Sequence, residues 1–292
     1  LSPDPDPQFL QVVIETAQGA ALEAGALLLD GFGQAKSVRY KGEIDPVTQF
    51  DLASEKLIVQ RISTAFPDHF ILAEESGETG VASTHVWYID PLDGTVNFAH
   101  GFPIFCVSIA YEARRPDGAE IMAGVVFDPV RDEMFRAVRG QGAFLNDSPL
   151  AVTDRTDLGR ALVATGFPYS IRQKPDPVLS RFRRMCLAAQ GVRRPGAAAL
   201  DLAWLAAGRL DGFWEEELHP WDTAAGILIV EEAGGRVSDF RGRPFRPDLK
   251  EILATNGHLH YTMSRILCED PPNREEEALF GGGNLDEKNP DQ

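Results

Sequence analysis

The chain has 292 residues, enough for one large domain or two small ones with a substantial core. Its 44 acids against 28 Lys and Arg leave a net charge of −16, which repels phosphate backbones and argues against nucleic-acid binding. The 43% hydrophobic content is ordinary for a globular protein, and no uninterrupted apolar run reaches the roughly 18 residues of a membrane span, so no membrane role is expected.

The first ten residues, LSPDPDPQFL, are acidic and Pro-rich, without the basic start of a secretion signal. From Gln8 to Asp30 the apolar positions recur with helical spacing, through Val12, Val13, Ala17, Ala20, Ala21, Leu22, Ala26 and Leu29. SVRYKGEIDPVTQFD reads as two short strands around Gly42, followed by a helix that Asp51 opens and Pro67 ends. Its expected buried stripe is Ala53, Leu57, Ile58, Ile62 and Phe66. HFILAEESG is a short strand running into acids, and HVWYIDPLDGT is a second of the same design. FCVSIAYEA, EIMAGVVFDP and EMFRAVRG follow as a meandering sheet, with turns at Pro116-Asp117-Gly118 and Asp128-Pro129. RGQGAFLN holds a G-x-G, but a strand-like AFL follows it, against a dinucleotide fingerprint.

After Leu150 strands and helices alternate. ALVATGF, DGFWEEE, GRVSDF and EILATN read as strands; DPVLSRFRRMCLAAQ, ALDLAWLAAGRL, WDTAAGILIVEEAGG and HLHYTMSRIL read as helices. The expected organisation is one layered α/β catalytic domain over residues 8–268, its halves 8–150 and 151–268 tightly joined. Residues 269–292 are acidic with little to bury and are expected to form a mobile tail. Cys106, Cys186 and Cys268 are widely separated and odd in number, which suits reduced thiols in the cytoplasm.

Acids recur where apolar strands stop: Glu74 and Glu75, then Asp90 and Asp93, and later Asp222 at a helix start. Singly, each is an ordinary solvated or helix-capping acid. Gathered at one sheet edge they would repel one another unless cations lay between them, and all-oxygen ligands select hard cations, Mg²⁺ foremost beside a phosphate. Pro91 and Gly94 make a helix through Asp90 and Asp93 unfavourable and suggest a turn that points both carboxylates one way, with the Leu92 carbonyl between them. Gly94 and Thr95 then open a helical turn whose free N–H groups suit a phosphate.

Asp90-Pro-Leu-Asp93-Gly-Thr95-Val-Asn97-Phe98 and Trp221-Asp222-Thr-Ala-Ala-Gly226 resemble the two signatures of the inositol monophosphatase family. Lys41, Asp45-Pro-Val-Thr48-Gln-Phe-Asp51, Ala73-Glu74-Glu75-Ser76-Gly77, Gly196-Ala-Ala198 and Glu215 extend the resemblance over residues 10 to 268 in the expected order. The resemblance implies an αβαβα sandwich, shared with fructose-1,6-bisphosphatase, and a Mg²⁺-dependent, lithium-sensitive phosphomonoesterase that works as a homodimer. It implies two to three Mg²⁺ ions: the first on Glu74, Asp90 and the Leu92 carbonyl, the second on Asp90, Asp93 and Asp222, and a third, weaker one near Glu74. It casts Glu75 and Thr95, with Asp51 polarising the Thr95 hydroxyl, as the groups that orient and deprotonate water. It gives the Gly94 and Thr95 amides to the phosphate, and Gly196, Ala197, Ala198, Glu215 and Asp222 to a sugar or polyol phosphate. Ala197 replaces a frequent Ser or Thr, Pro195 beside it stiffens that wall, and the Lys41–Asp51 stretch is shorter than in some members.

Inositol 1-phosphate is the expected substrate, since Val96-Asn97-Phe98 carries no charge directly after Asp-Gly-Thr. The alternatives are fructose 1,6-bisphosphate (alone or as a dual activity), histidinol phosphate and a 3′-phosphoadenosine nucleotide. A catalytically silent Mg²⁺-binding module is the reading from a different class. His258 and His260, two apart, are not read as a zinc pair; His219 is read as packing or supporting, Trp87 and Trp221 as core aromatics beneath the site, and Cys106 as buried and inert.

Overall fold

A computed structural model describes residues 6–34, 38–40, 46–116 and 118–268. Lys41, Asp45, Asp117 and the expected tail 269–292 lie outside the described residues. In chain order the elements are α1 (Pro7–Gly31), β1 (Val38–Tyr40), β2 (Pro46–Thr48), α2 (Gln49–Ala65), β3 (Phe70–Ala73), β4 (Gly77–Thr79), β5 (His85–Asp93), α3 (Thr95–Ala99), β6 (Cys106–Arg115), β7 (Gly118–Asp128), β8 (Glu133–Val138), β9 (Ala143–Leu145) and β10 (Ser148–Pro149). Then follow β11 (Leu162–Thr165), α4 (Pro175–Ala188), β12 (Gly191–Arg193), α5 (Ala198–Ala206), β13 (Gly212–Glu216), α6 (Pro220–Glu232), β14 (Arg236–Ser238), β15 (Glu251–Thr255) and α7 (His260–Leu267).

The first sheet has eight strands in the order β10-β9-β8-β7-β6-β5-β3-β4, and the second has five in the order β12-β11-β13-β15-β14. The expected meander, β6 to β8, lies within a longer run from β5 to β10 that is antiparallel at every step, whereas β3 pairs with β5 in parallel and β11 with both β12 and β13 in parallel. Side chains of alternate residues point to opposite faces of a strand. On β5 and β6, Trp87, Ile89, Val107, Ile109 and Tyr111 pack towards α1 and α2, while Val86, Tyr88, Cys106 and Ala110 face α5 and α6. The second sheet covers the other side of α5 and α6 with Ala164, Phe213 and Ala254, and turns Val163, Trp214 and Leu253 to α4 and α7. The layers therefore run helix, sheet, helix, sheet, helix. The fold is the expected α/β sandwich of αβαβα type.

By length and composition α1 would suffice to cross a membrane, a point that the search for an uninterrupted apolar run passed over because Glu15 and Glu23 interrupt it. Here it lies along the first sheet with Leu10, Val13, Ile14, Ala17, Ala21, Ala24 and Leu28 buried.

Two local expectations change. The helix after β2 is capped by Thr48, not opened by Asp51: the Asp51 carboxylate accepts from the Thr48 N–H at 2.8 Å, closing a capping box. Its buried face is Asp51, Ser54, Glu55, Ile58 and Ile62, with Ala53 exposed and Leu57 half-buried. The Asp90–Asp93 segment is not a free turn; it is the end of β5, with a shift of register between those two residues. Three apart in a regular strand they would face opposite ways, and the irregularity supplies the missing change of phase.

Candidate active site

Three segments meet at the ends of β3 and β5. Glu74 follows β3, and its N–H donates to the Ile89 carbonyl at 3.1 Å. Asp90, Leu92 and Asp93 close β5, and Gly94 turns the chain into α3 at φ +93°. A Cβ there would lie 2.9 Å from the Ile104 carbonyl oxygen, so the turn needs glycine for conformation and for space. From the other half of the chain, α5 and α6 aim their first turns at the same place.

These elements bound a cavity of about 260 Å³. Its lining includes Glu74, Asp90, Leu92, Asp93, Gly94, Thr95, Gly196, Ala197, Ala198, Glu215 and Asp222, and Arg194 is the one Arg or Lys among the described lining residues. Backbone N–H groups hold one oxygen of each central aspartate. Leu92 donates to Asp90 at 3.0 Å, Ala199 at the start of α5 donates to Asp93 at 2.7 Å, and His219 at the cap of α6 donates to Asp222 at 2.7 Å.

Burial and mutual repulsion raise these acids together. The Asp90 carboxyl stands well above the usual range, first through burial and then through Glu74, Asp93 and Asp222. Burial pushes Asp93 up to about 6, and Asp222 is raised by burial with Asp93 and Glu74 adding to it. Glu215 is pushed up to about 8, again by burial first, with Arg194 opposing. Among the described residues no three or more His, Cys, Asp or Glu side chains converge closely enough to close on an ion as they stand. The acids instead face a shared cavity. Their oxygen-only chemistry, and repulsion without a matching set of cations, fit hard divalent ions and no softer metal.

The predicted water-handling pair is partly assembled. The Thr95 hydroxyl lies 2.9 Å from Asp51 Oδ1 and 3.0 Å from the Leu92 carbonyl; having one proton, it donates to one at a time. Asp51 also accepts from the Thr48 hydroxyl at 2.5 Å, and burial raises its carboxyl while these hydrogen bonds oppose the rise. Glu75 is not in the described cavity lining; its N–H donates to Glu55 at 2.7 Å.

The sequence reading missed how α2 holds the site. Ser54 donates to the Pro91 carbonyl at 2.8 Å, and the buried Glu55 carboxylate accepts from the Glu75 and Ser76 N–H groups at 2.7 and 2.8 Å. The available signal was polar: Asp51, Ser54 and Glu55 share the face that Ile58 and Ile62 continue. The Leu92 side chain is 1% exposed and anchors the segment in the core.

Among the aromatic, thiol and imidazole groups read from the sequence, Trp221 is the one whose position differs. Trp87 is fully buried as expected, but Trp221 is half-buried, lines the cavity and stacks on His219 at 4.8 Å. Cys106 is buried yet not remote, its Sγ lying 3.6 Å from Asp93. His258 is exposed, whereas His260 is buried between Ser238 and Thr255.

Residues 10–271 match the sequence profile of the inositol monophosphatase family. The chain belongs to that family. The inositol-1-monophosphatase of Synechocystis sp. is 43% identical over 267 residues, covering 91% of this chain and 92% of that one. The Nus factor SuhB of Pseudomonas aeruginosa is 45% identical over 254 residues, covering 85% and 92%. Among solved structures, the extragenic suppressor protein suhB from Bartonella henselae superposes with a TM-score of 0.83 at 43% identity, over 88% of this chain and 99% of that one. Family membership makes the cavity the place to look for phosphatase chemistry.

Proposed function

We propose that the protein hydrolyses a phosphate monoester, inositol 1-phosphate foremost, with Mg²⁺ and without a covalent phosphoenzyme. The observation that carries this reading is the cavity that Glu74, Asp90, Asp93 and Asp222 line together with the Gly94–Thr95 turn. Glu74, Asp90 and the Leu92 carbonyl would hold one ion, Asp90, Asp93 and Asp222 would hold a second, and Glu74 would help to hold a third. Bound there, Mg²⁺ supplies the positive charge that lets the carboxylates coexist and acidifies water so that a weak base suffices.

The chain's own groups do the rest. Thr95 Oγ1 donates its proton to Asp51 Oδ1 and so presents a lone pair to the attacking water, which Glu75 helps to orient and deprotonate. The N–H groups of Gly94 and Thr95 hold phosphate oxygens as negative charge grows on them. Gly196, Ala197 and Ala198 wall the far side, and Glu215 and Asp222 accept hydroxyl protons of the polyol. With Ala197 in the wall, that position offers backbone groups alone.

The relative named inositol-1-monophosphatase supports the choice of substrate, and the complete set of acids speaks against a silent ion-binding module. The reading extends to a homodimer, on the family resemblance, and to the cytoplasm, on the three free cysteines. Phosphate release from inositol 1-phosphate, fructose 1,6-bisphosphate, histidinol phosphate and 3′-phosphoadenosine 5′-phosphate tests it, with Mg²⁺ and with a chelator. Inositol 1-phosphate is expected to give the highest kcat/KM, and Asp93→Asn to abolish most turnover while the fold persists. Turnover indifferent to chelation would overturn the metal chemistry.

A further inference from the structure

Asn97 sits on α3, two residues beyond Thr95, with its side chain half-buried and outside the described lining of the cavity. Its amide nitrogen lies 2.8 Å from the Ile104 carbonyl, 2.9 Å from the Pro195 carbonyl and 3.4 Å from the Gly196 carbonyl. An amide flipped the other way would set its oxygen against three acceptors, so this orientation is the one the chemistry allows. Two of those acceptors are 98 and 99 residues distant in sequence: Gly196 lines the cavity, and Pro195 lies between its lining residues Arg194 and Gly196. The third, Ile104, is the carbonyl that presses on Gly94. The Asn97 carbonyl also accepts from Phe102 at 2.8 Å, which folds the following loop back over the turn.

The short segment from Asp93 to Asn97 thus grips the opposite wall twice. Asp93 holds the Ala199 N–H at the start of α5, and Asn97 holds Pro195 and Gly196 just before it. Gly196 takes φ +88°, where a Cβ would come 2.8 Å from Arg194 Nη1 and 3.4 Å from the Asn97 nitrogen, so Asn97 packs directly against this turn. Without the amide, three carbonyl oxygens would face one another with no donor between them, and the wall would have to move. The tie through Asp93 would survive, leaving the acids where they are.

We propose that Asn97 is a positioning residue that sets the distance between the phosphate-side turn and the Gly196–Ala198 wall, and thereby selects for the polyol portion of the substrate. The inference deepens the proposed function and rests on it for the identity of the substrate, but not for the existence of the tie.

The test compares wild type, Asn97→Ala and Asn97→Ser on inositol 1-phosphate and 4-nitrophenyl phosphate, a substrate with no hydroxyl groups for the wall to hold. Amide hydrogen exchange at residues 196–199 is measured in parallel. Asn97→Ala is expected to lower kcat/KM for inositol 1-phosphate at least tenfold, mainly through KM, with less than a threefold change on 4-nitrophenyl phosphate. Exchange at 196–198 should rise at least tenfold, while Ala199, still held by Asp93, and residues 49–65 of α2 stay protected. Asn97→Ser, which keeps a shorter donor, should fall between and serves should the Ala variant not fold. An equal loss on both substrates, or unaltered kinetics, would overturn the selective role, and unaltered exchange would overturn the tie itself. Wild-type protein that turns over neither substrate would sink the functional reading, while the exchange data would still decide the tie.

Discussion

Glu215 lies so close to Gly166 that a Cβ on the glycine would fall 1.9 Å from Glu215 Oε1. The carboxylate therefore occupies space left by a missing side chain, and it is held 9% exposed at the edge of the cavity. Burial raises this carboxyl to about 8, so its charged, hydroxyl-accepting form depends on the cations that the proposed reading places beside it. Glu215→Gln keeps the shape and an acceptor oxygen but removes the charge. It is expected to reduce discrimination among polyol phosphates about tenfold, the effect of about 1.4 kcal/mol in a charged hydrogen bond. Hydrolysis of 4-nitrophenyl phosphate should change less than about threefold, within the scatter of a single lost contact. Comparing kcat/KM on the two substrates checks this, and equal losses would reassign Glu215 to holding an ion or the fold.

At the scale of elements, α2 is the support behind the acids. One turn and a half of it reaches three segments: Asp51 to Thr95, Ser54 to Pro91, and Glu55 to Glu75 and Ser76. Glu55→Ala would leave two N–H groups in a partly buried loop without their charged acceptor, at a cost of about 2–4 kcal/mol in stability. Urea denaturation should show the midpoint falling, and phosphatase activity should fall further than stability predicts because Glu74 leads directly into that loop. Glu55→Gln, retaining one acceptor, should lose about half as much. This support was hidden from the sequence because a search for apolar periodicity promotes Ala53 and Leu57 and passes over Ser54 and Glu55. The apolar runs of β5 to β8 were legible because both faces of that sheet are buried against helices, so each strand reads as an almost continuous apolar stretch. The short edge strands β4, β10 and β12 have no such constraint, and nothing local announced them. Nor could spacing show that β5 carries the acids to its very end; the signature residues were recognised, while the strand irregularity that aligns them is a product of pairing with β6.

For the molecule as a whole, two buried histidine clusters outside the site lose stability in acid, against the opposite contribution of the raised acids in the cavity. His69 stacks on His85 at 4.5 Å near Phe9, Phe66 and Trp87, and burial lowers its pKa to about 4, with His85 adding to the shift. His260 is lowered further, to about 3, by burial, with Arg236 contributing. Its Nε2 lies 2.7 Å from the Ser238 hydroxyl, which also lies 2.5 Å from the Asp239 carbonyl; its Nδ1 lies 2.9 Å from the Thr255 hydroxyl, which accepts from Gly257. Ser238 spends its one proton on the carbonyl, so Nε2 carries the ring proton and Nδ1 accepts from Thr255. A second ring proton would disrupt that pattern in a buried place. The unfolded chain takes up this proton near pH 6.5, whereas the folded chain refuses it until about pH 3. Between those values the unfolded state binds more protons, so stability falls as pH falls, by about 2–3 kcal/mol from pH 6.5 to 4.5 for His260 alone. Above pH 6.5 the same group should contribute no slope. Denaturation midpoints measured across pH 4.5–7.5 check this, and His260→Gln should flatten the acid limb while lowering stability at pH 7.5. An acid limb as steep in that variant as in wild type would move the proton uptake to the stacked pair of His69 and His85.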